Sequence, residues 1–500
     1  MSISHCPRFL LPVAIVLLSS CAEVDQKSPD ASTDSASPAD QSDTDSGGGD
    51  SAGSSGDTAG SSGGGDEGGD DGGDDGGDDG GDEGGDTGTD PTGECGPPTV
   101  QHTVGEPDGP AFVDIADVDG DGRNDIVVAA FGTFTGVSLP NGTLTIYEWG
   151  SDLSSWSSTE VVSSSDSMKF PNQPTVQDID GDGDQDIMVA SGFFLCSIIG
   201  FNNECGGLTW FEQTGSAWDR HEVIPTERVL FYHHAEVADF NGDGIDDLLT
   251  VGEEMEVFGD SEDRAVVEWY AGLGGGEFAE TAHVVGTGLG SFPQVMDIDG
   301  DGDLDVASAE YFVNLDSYAW FEQTDAPSSS NPAGSFTRHT ISDEHGKAIQ
   351  LRLVPDLYGD GVLRAVGSNH TNTESRDPDL EESAVAVLTP GADPTQPWAS
   401  TTISTGIVSD VNPLAEMAAP GVFDYGDIDG DGDIDLLVAG DGAPYIYWFE
   451  QTAPATWTQH TLLSGMRQTG GARIGDIDGD GCAELVVTAY EDNIVMVFGR

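Results

Sequence analysis

The chain has 500 residues, with 15 Lys and Arg against 92 Asp and Glu, a formal charge of −77. That balance excludes a nucleic-acid partner, since binding phosphates requires neutralising cations, and it favours divalent cations and neutral or basic ligands. Apolar residues make up 36% of the chain, enough for a packed core once its acidic stretch is set aside.

The first 20 residues read as an export signal. Arg8 gives a small positive region, Phe9 to Leu18 form a ten-residue apolar run, and Leu18-Ser19-Ser20-Cys21 follows. Such a run is too short to span a bilayer and predicts a cleaved signal instead of an anchor helix. The tetrapeptide resembles a bacterial lipoprotein cleavage box. That resemblance implies cutting after Ser20 and lipidation of Cys21, which ties the chain to a membrane; an ordinary secretory signal with an incidental Cys is the alternative. Ala22 is compatible with outer-membrane sorting, so the expected location is the bacterial outer membrane or cell surface.

Residues 21–94 are low complexity, rich in Ser and Asp and then in Gly-Gly-Asp runs. A calcium β-roll needs a recurring large apolar residue, and none is present. With nothing to offset the entropy of ordering, the segment is expected to be a disordered acidic tether. Its random-coil span is roughly 50 Å, lengthened further by charge repulsion.

From residue 95 to 500 one nine-residue phrase organises the chain. It is cleanest at 427–435, DIDGDGDID, with Asp427, Asp429, Asp431 and Asp435 at its first, third, fifth and ninth positions. Calcium takes six to eight oxygens, and alternating carboxylates on a tight glycine-bearing loop supply them. Four acids this close repel one another unless a cation lies among them. The phrase recurs with Asp117, Asp119, Asp121 and Asp125; with Asp178, Asp180, Asp182 and Asp186; and with Asp239, Asn241, Asp243 and Asp247. It returns with Asp297, Asp299, Asp301 and Asp305, and again with Asp476, Asp478, Asp480 and Glu484. A worn copy at 356–364 reads DLYGDGVLR, and the seven starts lie 49 to 71 residues apart. Such spacing marks a repeat array.

A short apolar segment precedes each loop and a β-branched run follows it, as in DIVVAA, DIMVAS and DLLVAG. An aromatic strand comes next, as in LTWFEQT at 208–214 and YAWFEQT at 318–324, and then a fourth strand, as in FTRHTI at 336–341. Four strands per repeat, seven times over, predict an all-β, seven-bladed β-propeller. The seventh repeat supplies only three strands before Arg500, and residues 101–104 (QHTV) look like the missing fourth. The N-terminal strand is therefore expected to close the last blade and leave no open edge.

The phrase D-x-[DN]-G-D-G-x-x-D followed by an apolar strand resembles the FG-GAP/VCBS repeats of bacterial surface proteins, and the integrin α-subunit propeller carries related loops. The resemblance implies that each loop joins the first and second strands of a blade and binds Ca2+, with the seventh residue giving its carbonyl. Asn241 still offers an oxygen and Glu484 is a longer carboxylate, whereas Tyr358 and Arg364 stand where ligands belong, so no calcium is expected there. The cages have no evident open coordination position and read as structural staples.

Of the cysteines, Cys196 and Cys205 bracket one loop and are expected to pair. Cys95 and Cys482 either clamp the ring closure or are unrelated thiols. At the mouth of the axial channel, opposite the acidic loops, the starts of the inner strands bring Asn172, Gln173, His233, His234, His345, Lys347 and Arg473, a polar funnel suited to a ligand. His221, His339 and His460 recur at one strand position and read as architecture, as do Trp210, Trp320 and Trp448. A sugar-stacking platform would come from non-repeating aromatics such as Phe193, Phe194, Tyr232 or Phe312. No nucleophile motif, phosphate loop or zinc spacing appears. The expected role is capture of a polysaccharide or protein partner. A carbohydrate lyase or dehydratase using the mouth histidines, and a purely structural envelope component, are the alternatives.

Overall fold

The computed structural model describes residues 95–133, 139–194, 205–255, 264–313, 315–370, 383–409 and 419–500. The expected export signal, Cys21 and the expected tether lie outside them.

The second strand of each blade explains the architecture. Asp125–Ala130, Asp186–Ser191 and Glu484–Ala489 are buried at every position. A strand with no exposed face must have neighbours on both edges and another sheet packed on each side. Seven four-stranded antiparallel sheets meet that demand, each running from an inner strand through a second and third to an outer one. In the first blade these are Pro110–Ala116, Asp125–Ala130, Thr143–Trp149 and Trp156–Val162.

The core lies between blades instead of at one centre. Ile428, Leu437 and Trp448 of the sixth blade pack with Leu485, Val487 and Phe498 of the seventh. Val113, Ile126 and Val128 of the first blade pack with Val486, Val495 and Val497 of the seventh, so the last interface closes the ring. Val104 joins that cluster because Val100–Gly105 pairs antiparallel with Ile494–Gly499, setting Val100 opposite Gly499 and Thr103 opposite Met496. The fourth strand of the last blade is thus the N-terminal one.

Covalent closure follows the same seam. Cys95 and Cys482 form a disulfide with Cα atoms 5.6 Å apart. Cys205 is buried and disulfide-bonded; Cys196, its expected partner, lies outside the described residues.

The recurring aromatics are architectural. Trp210, Trp320 and Trp448 on third strands face His221, His339 and His460 on outer strands, with ring centroids 4.4, 4.9 and 4.6 Å apart. Each imidazole Nε2 also bonds a glutamate, Glu212, Glu322 or Glu450, at 2.8, 2.6 and 2.6 Å. Trp269 and His283 repeat the pairing at 4.7 Å in the third blade. The sequence reading missed a small hairpin there, Gly272–Gly274 with Glu277–Phe278, whose signal is the run Gly274-Gly275-Gly276 with φ of 85°, 64° and 72°.

Candidate metal loops and axial mouth

Every acidic loop joins an inner strand to a second strand. The fourth and sixth residues are glycines with positive φ, 78° and 93° for Gly430 and Gly432, and a Cβ at Gly432 would meet open space. Backbone conformation alone therefore dictates glycine at Gly432, whereas a Cβ at Gly430 would also strike Cys95. The turn brings carboxylates inward and caps them locally. Asp427 accepts from the amides of Gly430 (2.7 Å) and Gly432 (3.0 Å), and Asp429 from that of Asp431 (3.3 Å).

The ninth residue has a second duty. Asp125, Asp186, Asp247, Asp305, Asp435 and Glu484 are all buried, and each accepts the amide of the loop's second residue, as in Ile298 N to Asp305 Oδ2 at 2.9 Å. In Asp305 and Asp435 the other oxygen accepts an amide of the third strand, from Gln323 at 2.9 Å and Gln451 at 2.7 Å. Burial outweighs these bonds. It pushes Asp125 and Asp247 up to about 6, and Asp305, Asp435 and Glu484 up to about 7.

The donor set suits a hard cation. Oxygens within 4.8 Å of one another come from Asp178, Asp180 and Asp186; from Asp297, Asp299 and Asp305; from Asp427, Asp429 and Asp435; and from Asp476, Asp478 and Glu484. In the first loop the group is Asp117, Asp119 and Asp121, without Asp125. Asp117 Oδ1 is buried without a hydrogen-bond partner, which a cation would satisfy. The fifth-position Asp182, Asp301, Asp431 and Asp480 stand outside these groups, each accepting the amide two residues on, at 2.9, 3.1, 2.9 and 2.8 Å. In the third loop Asp243 likewise accepts from Ile245 N, Asp239 accepts from Gly244 N (both 2.9 Å), and Asn241 Nδ2 donates to Asp247 Oδ1 at 3.0 Å.

At the other end of the inner strands the channel opens into a cavity of about 440 Å³. Its wall is aromatic, carrying Phe112, Phe131, Phe170, Phe193, Phe292 and Phe312 from blades far apart in sequence. Neighbouring rings are inclined to one another, from 42° between Phe170 and Phe193 to 89° between Phe131 and Phe170, so no flat platform forms. His233 lines the cavity with Nδ1 held by the fully buried Glu253 at 3.1 Å, and Ser291 Oγ donates to the same carboxylate oxygen at 3.2 Å.

The expected polar funnel is corrected accordingly. Of its seven residues only His233 lines the cavity. Asn172 is fully buried and donates to the carbonyls of Phe170, Gly192 and Tyr232, while Gln173 donates to those of Val113 and Pro174. Both side-chain amides are thus spent on backbone carbonyls and not on a ligand. His345 bonds Ser400 Oγ at 2.9 Å, with burial holding it below the ordinary histidine range, and Lys347 stands 5.3 Å from the Tyr311 ring. His234 bonds Glu236 (3.2 Å) and Arg473 faces Asp114 (3.5 Å). With Gln294 donating to Glu236 and Arg352 paired with Asp424 at 3.3 Å, they belong to a polar belt on the inner strands that sequence reasoning missed. Its signal was positional: Asp114, Glu236, Gln294, Asp424 and Arg473 each stand third before a loop. Phe193, Phe194 and Phe312 do reach the mouth, but Tyr232 is fully buried.

Residues 117–189 and 427–487 match the family model of the FG-GAP-like repeat. No curated protein matches the chain. Among solved structures, BBS1N in complex with ARL6DN, soaked with lead, is similar over 81% of this chain and 97% of that one, at 12% identity and a TM-score of 0.47. The Dos1 propeller is similar over 75% of each chain, at 10% identity and a TM-score of 0.39.

Proposed function

We propose that this seven-bladed propeller of FG-GAP-like repeats is a calcium-stiffened binding module whose aromatic mouth captures a protein partner. The carrying observation is the mouth itself: apolar rings from several blades surround one cavity, and a cavity of that size suits an inserted apolar side chain. Rings inclined to one another favour such an anchor over a flat sugar ring. The acidic loops would hold Ca2+ through their first, third and ninth residues in most blades, fixing the face away from the mouth. The cleavage-box residues Leu18 to Cys21 support export and a lipid anchor, with the acidic tether holding the propeller away from the bacterial surface.

The test is binding of the full chain, in millimolar calcium, to a random-peptide array and a glycan array. Peptides carrying aromatic or aliphatic anchors should bind, and Phe312→Asp should abolish the signal. A glycan hit abolished by the same substitution would assign the mouth to a polysaccharide instead. Blank arrays would leave the structural envelope role.

One observation favours a second reading. His233 Nδ1 is oriented by Glu253 and its Nε2 has no hydrogen-bond partner among the described residues, an arrangement suited to acid–base work. A carbohydrate-active enzyme of the lyase or dehydratase type would lose turnover in His233→Ala while keeping its ligand.

A further inference from the structure

The fifth acidic loop keeps the glycine turns and first-position cap of the others while changing its chemistry, and its Asp356 alone among the first residues takes a left-handed φ, 58°. Asp356 at the first position accepts the amide of Gly361 at 2.5 Å, as Asp117 accepts that of Gly122 and Asp476 that of Gly481, both at 3.0 Å. Gly359 and Gly361 have φ of 68° and 73°, in the same region as Gly479 and Gly481 at 76° and 89°. Leu357 at the second position is buried, as are Val118 and Ile477. The inner strand differs by one residue. Val354 pairs with Arg364 and Pro355 intervenes before the loop, whereas Ala116 pairs with Asp125 and leads directly into its loop.

Into this frame the ninth residue sends a guanidinium. Arg364 Nη1 and Nη2 donate to the two oxygens of Asp360, both at 2.6 Å, and Nη1 also donates to the carbonyl of Val362 at 3.4 Å. These are the fifth-position carboxylate and the seventh-position carbonyl. The third position is Tyr358, whose ring centroid lies 4.3 Å from Arg364 Cζ. A bidentate fork on a carboxylate and a π face toward a cation are the strongest contacts a guanidinium makes. The Arg364 side chain is only 8% exposed.

We propose that Arg364 is a built-in cation, supplying the fifth loop through Asp360 and Val362 with the positive charge that a divalent ion would supply at the first, third and ninth residues of the others, so that this loop keeps its shape without calcium. The proposal rests on the reading that the other loops bind calcium. Tyr358 and Arg364 then act as one exchange: the charge moves from solution into the chain, and the third ligand becomes the ring on which that charge rests. Blade five becomes a calcium-independent segment of an otherwise calcium-dependent ring.

Hydrogen exchange on the unaltered full chain, with and without EDTA, tests this without any variant. Chelation should deprotect the amides of loops such as 178–186, 297–305 and 427–435, and leave Gly359, Gly361 and Val362 as slow as before. Equal deprotection of 356–364 would overturn the proposal while leaving calcium in the other loops intact. No response in any loop would overturn the calcium reading and this one with it. The reverse exchange gives a second measurement. Y358D/R364D should bind one more calcium per chain than the parent, counted by elemental analysis after gel filtration. A folded double variant with unchanged stoichiometry would show that the frame is not a cation site and overturn the equivalence.

Discussion

Arg500 Nε donates to the carbonyls of Cys95 (2.6 Å) and Gly96 (2.8 Å), residues 405 and 404 positions earlier in the chain. The same guanidinium donates to the carbonyls of Ile428 at 3.0 Å and Ala483 at 2.9 Å, in the sixth and seventh loops. Cys95 is therefore held twice, by this arginine and by its disulfide to Cys482. Both bonds land on the acidic-loop face, so ring closure and loop geometry share one piece of structure.

Breaking that lock should be felt globally. Cys95→Ser with Cys482→Ser opens a cross-link spanning 387 residues and should cost about 2–4 kcal/mol, read as a lower denaturant midpoint. Deleting 99–104 should do more, leaving Ile494–Gly499 as an unpaired edge prone to aggregation. A soluble monomer of unchanged midpoint would refute the closure.

Calcium removal should lower the melting temperature of the full chain, since carboxylate groups such as Asp427, Asp429 and Asp435 then repel one another without compensation. Calorimetry with and without EDTA reads this directly. An unchanged melting temperature would refute the staple role.

The pH dependence should reverse sign with calcium. Burial raises Asp305, Asp435 and Glu484 to about 7, well above the unfolded values near 4. A carboxyl raised on folding stabilises through its protonated form, fully below about pH 4, and loses that contribution as pH climbs through 7. In EDTA the melting temperature should therefore fall between pH 5 and pH 8. In calcium it should rise over the same interval, because the ion takes only deprotonated ligands. Parallel thermal scans in the two buffers decide the matter.

Mature protein from a bacterial host should begin at a lipidated Cys21. Mass spectrometry of the N-terminal peptide checks this, and an unmodified peptide starting elsewhere would end the anchor assignment.

Legibility followed the range of the interactions. The loops could be read because glycine φ and local carboxylate caps are decided within nine residues, and the second strands because continuous burial leaves an unbroken apolar run. Closure could be read by counting strands. The mouth could be read only in part: Phe193, Phe194 and Phe312 stand out as non-repeating aromatics and do line it, but Phe112, Phe131 and Phe292 gave no sign. Phe112, Phe193 and Phe312 share no phrase, and only the ring brings them together. Asn172 looked like a ligand because it is polar and near a strand start, yet three backbone carbonyls consume its amide. Arg364 looked like simple decay, because a guanidinium in a metal loop reads as a lost ligand until its partners are seen.

The strand Val100–Gly105 is the first of the ring to be synthesised, and its partner Ile494–Gly499 is the last. During translation it has to wait, its ladder unmade, until every other blade has emerged. A chain cut short anywhere has no place to put it, so partial products carry two raw edges and present themselves to proteases. Putting the first strand in the last blade thus works as a check on the ring: only a chain that has reached Ile494–Gly499 can seal it.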